Sequence, residues 1–183
     1  MLWDQYFYNV AIEVAKNSKC LSRKIGAVLV KDKSIIGTGY NGPPRGIPDC
    51  TKRWESDSFL ISCVSKRIYE TDADLNFADF NKSICPRKSL GYKSGEGVEL
   101  CVAGHAERNA LINSARNGIC TKDAKLYLTC TIPCTPCLIE IINAGIEEIV
   151  VTDDILYDKL SQYLFKFSNL KKRLYNKEVK YAK

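Results

Sequence analysis

The sequence predicts an α/β layer sandwich in which a mixed sheet is flanked by helices, forming one domain over residues 1–183 with a loop-rich insertion at about 49–104. Three observations carry this reading. An amphipathic helix is followed at once by a hairpin, a long irregular stretch comes next, and the remainder alternates short apolar strands with helices.

Leu2, Tyr6, Phe7, Val10, Ala11 and Val14 recur at helical spacing, so the first helix should end near Asn17. Residues 26–30 and 35–40 read as strands joined by the polar turn at 31–34. The prolines and glycines of 41–48 oppose both helix and central strand. From Asp49 to about Gly104 the pattern supports at most one or two short helices around Phe59 to Tyr69, and a stretch of this length needs something to hold it in place. Residues 105–117 are helix-like and 125–129 form a short strand. Residues 134–143 form a helix opened by Pro133 and closed by Gly145. A strand at 148–152 and a helix at 155–167 complete the pattern.

With 183 residues, 45% hydrophobic and 26% charged, the chain suits one folded core, and disordered, collagenous and repeat classes drop out. No apolar run approaches the ~20 residues of a membrane span, and the first nineteen residues lack a signal-peptide stretch. The expected location is therefore the cytoplasm. Reducing conditions there leave metal ligation, catalysis or burial as the roles of the nine cysteines. The net charge of +6 is fed by Lys171, Lys172, Arg173, Lys177, Lys180 and Lys183, read as a solvated, frayed terminus. It can attract phosphate-bearing ligands, but a nucleic-acid partner is not expected.

The chemistry is concentrated in two short segments. The one histidine, His105, opens His105-Ala-Glu107, and Pro133-Cys134-Thr-Pro-Cys137 follows further on. H-x-E combined with P-C-x-x-C is the zinc-deaminase signature. Cysteines at i and i+3 share a helix face, and the first turn favours their thiolates. Two thiolates and one imidazole leave a tetrahedral position open on zinc, as in catalytic sites, and zinc brings the pKa of water from about 15.7 toward about 7. Glu107, two residues beyond the histidine, is placed to carry protons without being a ligand.

At these residues the chain resembles the deoxycytidylate deaminase family, including phage enzymes and late-competence-type proteins. The resemblance runs from residues 22–28 through Gly39-Tyr-Asn-Gly42 and residues 105–110 to residues 141–146. It implies a cytidine-deaminase-like fold, hydrolysis of dCMP to dUMP and ammonia, and a homo-oligomer regulated by dCTP and dTTP. It further implies that Asn41 contacts sugar or base, that Asn109 and Arg116 help to form the nucleotide pocket, and that Tyr157 closes over it. Arg23 is a candidate phosphate contact, because a guanidinium matches phosphate geometry. Alternatives are deamination of dCTP, tRNA adenosine or guanine, and a non-catalytic zinc module in DNA uptake. Intact Glu107 speaks against the last.

Cys20, Cys50, Cys85 and Cys101 form a second set beside the insertion. Phage members of the family bind a structural zinc through cysteines matching Cys20 and Cys50 and two histidines of the insertion. With no second histidine in this chain, Cys85 and Cys101 are the expected replacements, giving one catalytic and one structural zinc.

Overall fold

The computed structural model describes residues 3–71 and 82–175. In chain order its elements are α1 (Trp3–Lys16), β1 (Gly26–Lys31), β2 (Ser34–Tyr40), α2 (Cys50–Ser56), α3 (Ser58–Thr71) and α4 (Pro86–Ser89). A 3-10 turn at Val98–Leu100 leads to α5 (Ala106–Arg116), β3 (Lys125–Leu128), α6 (Thr135–Asn143), β4 (Glu148–Val151), α7 (Lys159–Phe167) and β5 (Lys171–Leu174). The chain divides into two compact units. One holds residues 1–18, 25–41 and 105–183, and the other holds residues 19–24 and 42–104.

The first unit is built on a five-stranded mixed sheet in the order β2-β1-β3-β4-β5. β1 runs antiparallel to β2 and β3, while β3, β4 and β5 are parallel. Side chains alternate across β1 with the two-residue period of a strand. Ala27 and Leu29 join Leu126, Ile149 and the apolar sides of α5 and α6, whereas Val28 and Val30 meet Phe7 and Ala11 of α1. Apolar residues on both faces of β1 thus reflect its central place in the sheet.

Two glycines set how closely α5 lies on the edge strand β2. A methyl group on Gly39 would stand 2.3 Å from the Ala110 nitrogen and 2.4 Å from the Ala106 oxygen, and one on Gly37 2.1 Å from Ser114 Oγ. Only glycine permits this approach. Asn109 and Asn113 then donate side-chain N–H groups to the Tyr40 and Thr38 carbonyls at 2.8 Å each. Gly39→Ala is expected to destabilise the protein by about 1–3 kcal/mol through overpacking. An unchanged Tm in thermal unfolding would refute this account of the contact.

Three sequence expectations need correction. Lys171–Leu174 is a strand, not part of a frayed terminus, and the cationic positions beyond it, Lys177, Lys180 and Lys183, lie outside the described residues. Arg173 is held by both oxygens of Asp4 at 2.6 and 3.1 Å and by Glu148 at 3.1 Å, while the Tyr175 hydroxyl donates to Gln5 at 2.6 Å. The helix expected from Ile155 begins at Lys159, capped by Asp158. The proline in the first turn of α6 is Pro136, because Cys134 itself is the cap and Pro133 precedes it.

The second unit contains more helix than its irregular pattern suggests. Asp49 caps α2 by accepting the Lys52 N–H, and Asp57 accepts the Leu60 N–H at the start of α3. Trp54, Leu60, Val64, Ile68 and Leu100 form its core. Buried Arg53 bridges Asp57 at 2.7 Å and the Leu100 carbonyl at 2.8 Å. Paired hydrogen bonds between Gly42 and Gly104, at 3.1 and 2.8 Å, close the long segment of this unit at its neck.

Candidate active site

Both motif-bearing helices open on a candidate metal ligand. His105 is the N-cap of α5 with φ −73° and ψ 154°, and Cys134 is the N-cap of α6 with φ −65° and ψ 159°. This extended geometry is usual at a cap and turns each side chain toward the free N–H end of its helix. Cys137 follows three residues into α6. His105 Nδ1 lies 3.2 Å from Cys137 Sγ and 3.4 Å from Cys134 Sγ. The three donor atoms all fall within 4.8 Å of one another. Zinc bonds of about 2.0–2.3 Å in tetrahedral geometry separate nitrogen and sulfur ligands by about 3.5 Å, so this donor set fits the ion.

Cys134 is pulled down to about 4, chiefly by its hydrogen bond with Cys137 and also by that with His105, against the opposing effect of burial. Cys137 is pushed up by the same bond, by burial and by the nearby Glu107 carboxylate. His105 is raised first by its bond to Cys134, with burial opposing and Glu107 adding to the rise. Protons held in this way are those that a metal displaces on binding.

Glu107 occupies the first turn of α5 and is only 4% exposed. A carboxylate there is favoured by the helix dipole. It lies two residues after His105 and within electrostatic reach of both His105 and Cys137.

Sequence reasoning missed two residues that brace this arrangement. Arg108 grips Glu140 through two contacts of 2.9 Å, tying α5 to α6 one turn from the ligands. Asp158 accepts the Thr135 N–H at 3.0 Å and its hydroxyl at 2.5 Å while capping α7 through Ser161. Burial would raise the Asp158 carboxyl, but hydrogen bonds from Thr135 and Ser161 prevail and hold it at about 2. Only its position three residues before Ser161, as a helix cap, could have been read from the sequence.

Of the expected substrate contacts, Asn41 is buried and its Oδ1 accepts the Ile25 N–H at 2.8 Å, so part of its role is to shape the turn after β2. Asn109 sits one turn beyond His105 on α5, and Tyr157 stands half-exposed on the segment before α7. Arg116 is exposed in the last turn of α5, nine residues and about 14 Å along the axis from Glu107, and is not brought to the ligand set. Arg23 is exposed and belongs to the other unit.

In that second unit, the Cys50 thiol is pushed up to about 11 by burial first and then by Cys85, with smaller upward contributions from Cys101 and Cys20 against an opposing one from Arg53. The sulfurs of Cys85, Cys101 and Cys20 therefore each lie within electrostatic reach of Cys50. Cys20 Sγ also accepts the Ser22 N–H at 3.4 Å. Among the described residues, only His105, Cys134 and Cys137 are drawn up tightly enough to form a ready metal cluster.

Residues 1–153 match the family described as the cytidine and deoxycytidylate deaminase zinc-binding region. The chain is 35% identical to the deoxycytidylate deaminase of Mycobacterium phage D29 over 153 residues, 81% of this chain and 92% of that protein. It is 31% identical to the deoxycytidylate deaminase of Schizosaccharomyces pombe over 173 residues, 94% of this chain but 44% of the relative, and so spans under half of that protein's length. Its backbone is similar to that of the dCMP deaminase of cyanophage S-TIM5 solved with dCMP and dUMP, with a TM-score of 0.61 at 20% identity over 93% of this chain and 95% of that one.

Proposed function

The chain belongs to the cytidine and deoxycytidylate deaminase zinc-binding family, and on that premise we propose that it hydrolyses dCMP to dUMP and ammonia. The observation that carries the proposal is the convergence of His105, Cys134 and Cys137, with the buried carboxylate of Glu107 within electrostatic reach of His105 and Cys137. His105 Nδ1 and the two thiolates are assigned as the zinc ligands. Bound zinc supplies the Lewis acidity that makes water a nucleophile near neutral pH. Glu107 takes that water's proton, passes it to the ring nitrogen of the base and assists departure of the amine. A structural zinc site has no use for an acid in this place.

Asn41, Asn109 and Tyr157 are assigned to the nucleotide. Binding energy from a phosphate remote from the reacting carbon can be used to position the base. Turnover of dCMP is therefore expected to exceed that of deoxycytidine by about 10²-fold or more in kcat/KM, if the phosphate contributes about 3 kcal/mol of transition-state binding. Ammonia release from dCMP, dCTP, deoxycytidine, an adenosine stem-loop and guanine tests this. Equal kcat/KM for dCMP and deoxycytidine, or preference for another substrate, would overturn it. A homo-oligomer with dCTP and dTTP as effectors belongs to the same proposal and is tested by repeating the dCMP saturation curve with each triphosphate present.

Cys20, Cys50, Cys85 and Cys101 are assigned to a second, structural zinc. Their electrostatic proximity supports the assignment, and a closed four-thiolate site would stabilise the loops between α4 and α5. Protein prepared without chelator should carry about two zinc ions per chain, of which Cys50→Ser loses about one. Wild-type zinc content in that variant would show these cysteines to be ordinary buried thiols.

A further inference from the structure

The segments that follow β3 and β4 leave adjacent parallel strands and are stitched together residue by residue. The Thr152 N–H donates to the Cys130 carbonyl at 3.1 Å, and the Thr131 hydroxyl donates to the Ile155 carbonyl. Asp158 completes the seam. One of its oxygens accepts the Thr135 backbone N–H at 3.0 Å, while the other accepts the Thr135 hydroxyl at 2.5 Å, the Ser161 N–H at 2.9 Å and the Ser161 hydroxyl at 3.0 Å. Thr135 is the residue directly after the ligand Cys134 and the first of α6. One carboxylate thus serves the first N–H groups of two helices, its own and the one that presents both thiolates.

We propose that Asp158 is a positioning residue for the metal centre, fixing the Cys134 end of α6 through Thr135. The inference rests on the zinc assignment above and goes beyond it, because Asp158 touches no ligand. With the carboxylate removed, the backbone at Cys134 loses its anchor and two ligands on one helix can drift from the histidine on the other. Loss of outer groups that orient metal ligands typically costs about 10–100-fold in metal affinity or activity.

Serine separates this role from ordinary capping, since it caps a helix about as well as aspartate but is too short to reach a second one. The measurement is zinc transfer from the holoprotein to an excess of chromogenic chelator, taking the kinetic phase that His105→Ala lacks. Asp158→Ser is expected to release that zinc about tenfold or more faster while its Tm stays within a few degrees of wild type. Asp158→Asn, which keeps an acceptor for the Thr135 hydroxyl, should fall between the two. Should Asp158→Ser fail to fold, Asp158→Asn still decides, because wild-type release from it overturns the proposal. Release from a folded Asp158→Ser at the wild-type rate would reduce Asp158 to a cap for α7. The readout needs no substrate, so a zinc-loaded wild type inactive on dCMP would end the functional reading and leave this comparison intact.

Discussion

Glu107→Gln is expected to lower kcat for dCMP by about 10²–10⁴-fold while leaving zinc content and Tm near wild type. Glutamine has the shape and hydrogen-bonding reach of glutamate but cannot shuttle a proton, and Glu107 acts electrostatically on His105 and Cys137 without belonging to the ligand cluster. The side chain is almost fully buried, so Glu107→Ala adds a cavity to the chemical loss and is the less clean variant. Zinc analysis and steady-state kinetics on one preparation check both halves. A zinc-loaded glutamine variant with more than a tenth of wild-type kcat would remove Glu107 from proton transfer.

His105→Ala should abolish zinc retention and turnover together, with an affinity loss greater than the ~10–100-fold that a supporting residue typically costs. Histidine is the informative ligand to remove because it is exposed, whereas Cys137 is fully buried and its truncation would disturb the packing of α6. Dialysis against a chelator, followed by metal analysis and dCMP turnover, reads the outcome. Full activity in protein shown to be free of metal would end the zinc mechanism.

The ligand set was legible in the sequence because its logic is local. A histidine two residues before a glutamate and cysteines three apart state their geometry within one helical turn, and each pair lies where a helix begins. β5 was not legible, since Lys171, Lys172 and Arg173 look like a solvated charge run until their partners are known. Those partners are Glu147, Asp154 and the pair Asp4 and Glu148, which are distant in sequence or on another element. Charge on an edge strand also guards it against pairing with other chains. The helices of the second unit were understated because α2 carries few apolar residues beyond Trp54, and its start depends on the Asp49 cap. Asp158 was missed for a similar reason, as its partner Thr135 lies 23 residues away.

The tie between α1 and β5 bears on the order in which the molecule can be completed. Its bonds span 169 residues from Asp4 to Arg173 and 170 from Gln5 to Tyr175. Closing contacts of such high sequence separation is slow, and on a ribosome α1 leaves first and must wait for β5. During that wait Asp4 has Tyr127 but not Arg173, and Gln5 and Tyr8 lack Tyr175, whose ring stacks on Tyr8 at 3.8 Å, while every residue from His105 to Cys137 is already synthesised. The segments that carry the proposed metal ligands are therefore complete in the chain before the strand that finishes the sheet, and α1 is the first element made and the last to gain all its ties.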